Sequence, residues 1–248
     1  MGLLQKNSFG HNLFLKKWVI RVFGILSYRR FKGINSLSIK GGEVLRGLPS
    51  NNVLFVSNHQ TYYADVAAML HVMNASLSGN NNNIDNLFSY IWNPKENIFF
   101  VAAKETMKAG LFPKILSYAG AVLVERTWRD KGKDITRDVK TSDIDVVEKA
   151  LSAGWLITFP QGTTTPWKPV RKGTAHIIKK NKPIVVPIVI DGFRRSFDKK
   201  GVFIKKRGVK QTMQIKEPIK INYEKETIED IVFKIGMEIE QDQSFLTS

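Results

Sequence analysis

A histidine and an aspartate, His59 and Asp65, stand six positions apart in the stretch Val53-Leu54-Phe55-Val56-Ser57-Asn58-His59-Gln60-Thr61-Tyr62-Tyr63-Ala64-Asp65-Val66. Imidazole titrates near neutral pH, so a positioned histidine can take a hydroxyl proton as general base. A carboxylate behind it fixes the tautomer and stabilises the imidazolium that forms. The pair is what activation of an alcohol requires. A lone His–Asp pair is more often structural than catalytic, so its meaning depends on the elements around it.

Those elements read as alternating strands and helices. Val53 to Val56 is a short apolar run with the character of a buried strand, and Ala64 to Val72 is rich in helix formers. The polar tip between them, residues 57–61, then lies at a sheet edge, where sites in α/β proteins sit. Ile98–Val101 reads as a second strand, leading through Lys104 and Glu105 into a helical stretch to Tyr118. Gly120 to Val124 reads as a third, ending on Glu125 and Arg126. Residues 127–142 have the composition of a polar connection. Ser142 to Ala153 suits a helix, with Ser142 or Asp143 as N-cap and Gly154 as stop. Trp155 to Pro160 is a fourth strand, running into Gln161-Gly162-Thr163-Thr164-Thr165. Backbone N–H groups at such a glycine turn can hold an oxyanion or a phosphate, although an ordinary loop reads the same way. Arg171 to Lys180 predicts a short helix, Pro183–Ile190 a strand apolar on both faces, Val202–Ile221 two strands, and Ile228–Glu240 a last helix. The expected fold is α/β, with a mostly parallel central sheet flanked by helices.

Composition narrows the chemistry. At 248 residues and 43% hydrophobic, the chain can bury one sizeable core. It has no cysteine, which excludes disulfides and cysteine-based catalysis. Its four histidines, His11, His59, His71 and His176, form no ligand-like cluster, so no metal is expected. There is no phosphate-binding Walker loop, dinucleotide fingerprint or Gly-x-Ser-x-Gly elbow.

The net charge is +16. Residues 1–50 hold nine Lys/Arg against one acid, and residues 168–220 hold sixteen against three. Such a field calls for an anionic partner. No nucleic-acid-binding motif accompanies it, so no nucleic acid is expected, and an anionic membrane surface fits better. In residues 12–31, Lys17, Arg21, Gly24 and Tyr28 recur as a narrow polar stripe among large apolar side chains. A basic amphipathic helix of this kind suits the membrane interface, although a helix packed on the core reads similarly. The stretch is too charged to span a bilayer, and no signal-peptide cleavage site is evident. Residues 1–40 are accordingly expected to form a membrane-docking segment ahead of one domain, 41–248, on the cytoplasmic membrane face.

Four stretches, in order, resemble the glycerolphosphate and lysophosphatidate acyltransferase family. Asn58-His59-Gln60-Thr61 with Asp65 resembles its catalytic motif. Lys104-Glu105 with Gly120 to Arg126 resembles its second, where an arginine helps hold the acceptor phosphate. Phe159-Pro160-Gln161-Gly162-Thr163 resembles the third and Val186-Pro187-Ile188 the fourth. The resemblance implies acyl transfer from acyl carrier protein or acyl-CoA, as co-substrate, to a lysolipid hydroxyl, with no other cofactor. His59 and Asp65 would be catalytic. Asn58, Lys104, Arg126, Gln161, Gly162, Thr163, Arg171 and Lys172 would bind substrate, and N–H groups near Gly162 would hold the oxyanion.

This chain departs from the family pattern in two places. Five residues rather than four separate His59 from Asp65. Within one helix a six-residue step advances about 9 Å and turns roughly 240°, so the pair can meet only if the loop absorbs the extra residue. In the third motif Gln161 and Thr164 replace a glutamate and an arginine. Threonine cannot imitate a bidentate phosphate ligand. Either Arg126, Lys104, Arg171 or Lys172 supplies the cation, or the acceptor lacks the usual phosphate. Lysophosphatidate leads among acceptors. The alternative is an O-acyltransferase for another acceptor, a lyso-amino-acid lipid or a lysophospholipid, or a non-catalytic basic protein that binds lipid or nucleic acid.

Overall fold

The computed structural model describes residues 5–6, 9–10, 12–108, 110–125, 129–130, 133–134 and 141–246. Arg126 lies outside them. The elements run α1 (Leu13–Phe31), β1 (Ser36–Lys40), β2 (Val53–Ser57), α2 (Ala64–Leu77), α3 (Leu87–Ile91), β3 (Ile98–Ala103), α4 (Lys104–Lys108), α5 (Leu111–Ser117), β4 (Ala121–Val124) and β5 (Arg129–Asp130). They continue with β6 (Lys133–Asp134), α6 (Thr141–Ala153), β7 (Trp155–Thr158), α7 (Lys172–Asn181), β8 (Ile184–Asp191), α8 (Phe193–Ser196), β9 (Lys210–Ile215) and α9 (Ile228–Glu238). A seven-stranded sheet has the order β1-β9-β8-β2-β7-β3-β4, and β5 and β6 form a separate ladder. Within the large sheet only the β8–β9 pair is antiparallel.

The period-two alternation of a strand sorts the core into two layers. Val53 and Phe55 of β2 and Trp155 and Ile157 of β7 face the layer of α1 and α2. Leu54, Val56, Leu156 and Val185 face the layer of α6, α7 and α9. All five residues of β2 are buried, as expected of a parallel strand covered on both faces. Because β2, β7, β3 and β4 run in the same direction, their C-terminal ends, and the loops that follow them, share one edge.

Two expectations needed correction. Residues 202–221 give one strand, β9, rather than two. Asp198 to Gly201 closes a tight hairpin held by a single Phe197–Ile204 bridge, and Pro218 has no N–H with which to extend β9. The helical stretch to Tyr118 is broken into α4 and α5 at Gly110, whose φ of +148° favours glycine. Helix α1 is turned the opposite way from an ordinary amphipathic helix. Lys16 is fully buried, donating from Nζ to the Ile98 carbonyl at 3.1 Å over the Phe99 ring. Lys17 pairs with Glu96 at 2.5 Å, and Gly24 packs on Ile91. The apolar side chains of Phe14, Leu15, Trp18, Val22, Ile25 and Leu26 are left exposed, with Arg29. Among the described residues no helix is long and apolar enough to cross a membrane.

Candidate active site

The loop after β2 clamps its even-numbered side chains to β8, which turns the residue between them the other way. Asn58 donates from Nδ2 to the Ile190 carbonyl and accepts from the Ile190 N–H, both at 2.8 Å. Gln60 donates from Nε2 to Ile190 O at 3.1 Å and accepts the Arg194 N–H at 3.0 Å. His59 therefore points towards β7, where its ring stacks on Phe159 with centroids 3.9 Å apart.

The extra residue between His59 and Asp65 is taken up before the helix starts. Helix α2 begins at Ala64, so Asp65 lies in its first turn and reaches back over the loop. Its buried carboxylate accepts the Gln60 N–H at 2.6 Å, the Thr61 N–H at 3.0 Å, the Thr61 hydroxyl at 2.7 Å and His59 Nδ1 at 2.9 Å. A helix N-terminus favours an anion at that point. An ionised carboxylate accepts only, so Nδ1 carries the proton and Nε2 is left as the basic nitrogen. No described residue is bonded to Nε2, and His59 lines a cavity of about 590 Å³ over the ends of β3, β4 and β7.

The other residues singled out from the sequence divide. Gly162, Thr163 and Arg171 line the same cavity. Asn58 is buried, with both ends of its amide engaged by Ile190, and so is built into the loop rather than offered to a ligand. Gln161 is also buried and turns away, donating to the Lys168 carbonyl at 2.7 Å. Lys172 sits one helical step beyond Arg171, rotated onto α9, where it pairs with Glu229 at 2.6 Å. Lys104 lies between Glu125 and Asp143, at 3.5 and 3.4 Å. The Gly162 N–H is committed to the Phe159 carbonyl at 2.9 Å, which closes the turn that its φ of +66° permits. It is therefore not free for an oxyanion. The N–H groups of Thr163 and Thr164 bond to no described residue.

Several site residues were not singled out beforehand. Thr61 completes the ring of donors around Asp65. Asp143 accepts the Glu125 N–H at 2.8 Å and faces Lys104. Arg194 donates from its guanidinium to the Thr164 carbonyl at 2.7 Å, joining the loop after β7 to the loop after β2. The motif spacing hinted at Thr61, but Arg194 was indistinguishable from the basic run around it.

A mostly parallel α/β sheet carrying a carboxylate-held histidine over a cavity fits an enzyme that activates a hydroxyl for group transfer. The model of the Acyltransferase family matches residues 37–191, and the chain belongs to that family. Its fold is similar to that of the crystal structure of the 1-acyl-sn-glycerophosphate (LPA) acyltransferase PlsC from Thermotoga maritima. The TM-score is 0.58 at 18% identity, over 94% of this chain and 81% of that one. No curated protein matches the chain.

Proposed function

We propose that this acyltransferase moves a fatty acyl group from acyl-CoA or acyl carrier protein to the hydroxyl of a lysolipid, 1-acylglycerol-3-phosphate foremost, giving phosphatidate. The observation that carries the reading is His59, fixed through Nδ1 by Asp65 and presenting Nε2 to the cavity. Nε2 takes the proton of the acceptor hydroxyl as its oxygen bonds to the thioester carbonyl carbon. Thr163 and Thr164 N–H groups stabilise the tetrahedral oxyanion. On collapse the C–S bond breaks, and the sulfur takes the proton from His59 Nε2 and leaves as the free thiol, regenerating the base. No covalent acyl-enzyme and no further cofactor is required. Arg171, one of two cations on the cavity wall with Lys180, meets the acceptor phosphate while its Nε donates to the Gln161 carbonyl at 3.1 Å. The exposed apolar face of α1 rests on the membrane that holds the acceptor.

Two observations favour a second acceptor class. Thr164 stands where the family has an arginine, and Lys104 is flanked by two carboxylates, which suits a lysolipid without a terminal phosphate. The test is transfer from a radiolabelled acyl donor to lysophosphatidate, lysophospholipids and N-acyl amino acids, with His59→Ala as control. Label in phosphatidate, lost in the variant, is expected. Label in another acceptor alone overturns the first choice, and no transfer to any acceptor overturns the activity.

A further inference from the structure

Beyond α1, a second surface of this chain has the composition of a lipid-binding site. Between residues 194 and 210 there are eight Lys/Arg and one acid, Asp198. Asp198 is not used to neutralise them. Its Oδ1 accepts the N–H groups of Val202 and Phe203 at 2.8 and 2.9 Å, and its own N–H donates to the Phe203 carbonyl at 3.0 Å. The turn is thus held by its own hydrogen bonds, and it holds out Phe203, which is 72% exposed, the most exposed large apolar side chain described. Lys199, Lys200, Lys205, Lys206 and Arg207 flank it in sequence, all exposed. None of the five has a carboxylate partner among the described residues. A hydrogen-bonded turn that exposes an aromatic ring among sequence-neighbouring cations without carboxylate partners suits an anionic lipid surface, where the ring enters the interface and the cations meet head groups.

The base of the same hairpin supports the catalytic loop. The Tyr62 N–H donates to the Lys199 carbonyl at 3.1 Å and the Tyr63 N–H to the Lys200 carbonyl at 3.0 Å. Gly201 lies so close to Thr61 and the start of α2 that a Cβ there would come within 2.6 Å of the Ala64 nitrogen. Those contacts fall between His59 and Asp65 in sequence. On its other side the hairpin meets α1, where Arg30 donates to the Val202 carbonyl at 2.5 Å. Leu26 and Arg30 face Gly201 and Val202 across an apolar cavity of about 160 Å³. The hairpin therefore continues the exposed apolar face of α1.

We propose that the hairpin of residues 197–207 is a second membrane-contacting element, which inserts Phe203 into an anionic lipid surface and steadies the His59–Asp65 loop when it does so. The inference takes from the proposed function only that the acceptor is presented on such a surface.

The full chain should co-sediment with vesicles of phosphatidylcholine and phosphatidylglycerol in equal parts. Phe203→Ser should lower the partition coefficient about tenfold, and Lys205→Gln with Lys206→Gln about fivefold for each charge removed, less so at high salt. Because the chain has no cysteine, an environment-sensitive dye on Phe203→Cys reports the site alone. Its emission should shift to the blue on these vesicles. The same dye on Lys225→Cys, in the turn whose Tyr223 and Glu224 bond Pro183 and Lys182 just before the start of β8, at the opposite end of that strand, should not shift. Unchanged partition of the Phe203→Ser and Lys205→Gln/Lys206→Gln variants, or a dye at 203 that stays in water while the protein binds, overturns the docking role. Phe203→Ser should slow transfer to an acceptor held in vesicles and leave transfer to a monomeric short-chain acceptor unchanged. Equal losses on both overturn the coupling. These readings hold for whichever lysolipid is accepted, so failure with lysophosphatidate leaves the vesicle measurements intact.

Discussion

Two histidines twelve residues apart, on either side of the start of α2, contrast a residue placed as a base would be with one that only packs. His59 and His71 each bond an oxygen through Nδ1 at 2.9 Å, but the oxygens differ. For His59 it is the Asp65 carboxylate, and Nε2 faces the 590 Å³ cavity. For His71 it is the Tyr90 hydroxyl, and Nε2 is bonded to Ser27 Oγ at 2.9 Å. Burial pushes the His71 imidazole down to about 4, so near neutral pH it is uncharged and engaged at both nitrogens. It joins α1, α2 and α3 where Phe31 and Tyr28 pack on its ring. A base needs an anion on one nitrogen and access on the other, and only His59 has both.

Exchanging the oxygen partners is the sharpest way to break the comparison. Asp65→Asn places an NH₂ group among donors and removes the charge that stabilises imidazolium. Turnover should fall about a thousandfold or more. Tyr90→Phe takes the same kind of bond from His71 and should leave turnover within about twofold, while costing about 1–2 kcal/mol of stability. Parallel turnover and denaturant-unfolding measurements on the two variants decide it. Comparable losses of turnover in both would mean that the two histidines are not functionally distinct.

The sequence carried this contrast only in part. The runs that became β2, β7 and β8 were legible because fully buried strands leave continuous apolar stretches, and the loop after β2 stood out by its polarity between two such runs. That Asp65 reaches His59 was not legible from spacing. It depends on α2 starting at Ala64, which frees Asp65 to collect the N–H groups of Gln60 and Thr61. Periodicity likewise showed a polar stripe on α1 but not which way it faces. Lys16 is drawn inward by a carbonyl at the start of β3, eighty-two positions away, a partner no local pattern could reveal. The same limit explains Lys172, whose direction is set by Glu229 on α9; Gly162 differs, its N–H being used locally within its own turn. Side-chain direction depends on partners remote in sequence, whereas strands and helices were written into local runs.

A smaller effect should follow from acid. With a folded value near 4 and an unfolded value near 6.5, His71 takes up its proton only in the unfolded chain across that window. Stability is therefore unaffected by this group above about pH 6.5 and falls progressively as the pH drops towards 4, by about 3 kcal/mol in all. His71→Gln, which cannot titrate, should flatten that part of the profile. Urea unfolding of both proteins between pH 7 and 4 measures it, and identical slopes would mean that His71 is protonated in the folded state.

The least disruptive change tests what aims His59. The ring of Phe159 lies 18° from parallel to the imidazole and 3.9 Å from it, and holds it from the side that Asp65 does not reach. Phe159→Leu keeps an apolar surface but gives up the flat contact, worth about 0.5–1.5 kcal/mol. If stacking fixes the ring in its reactive orientation, that energy appears as a loss of about two- to tenfold in turnover, with acceptor KM nearly unchanged because Phe159 offers the acceptor no polar group. A rise in KM at constant turnover would instead assign Phe159 to the acceptor's binding surface, leaving the carboxylate alone to orient the base.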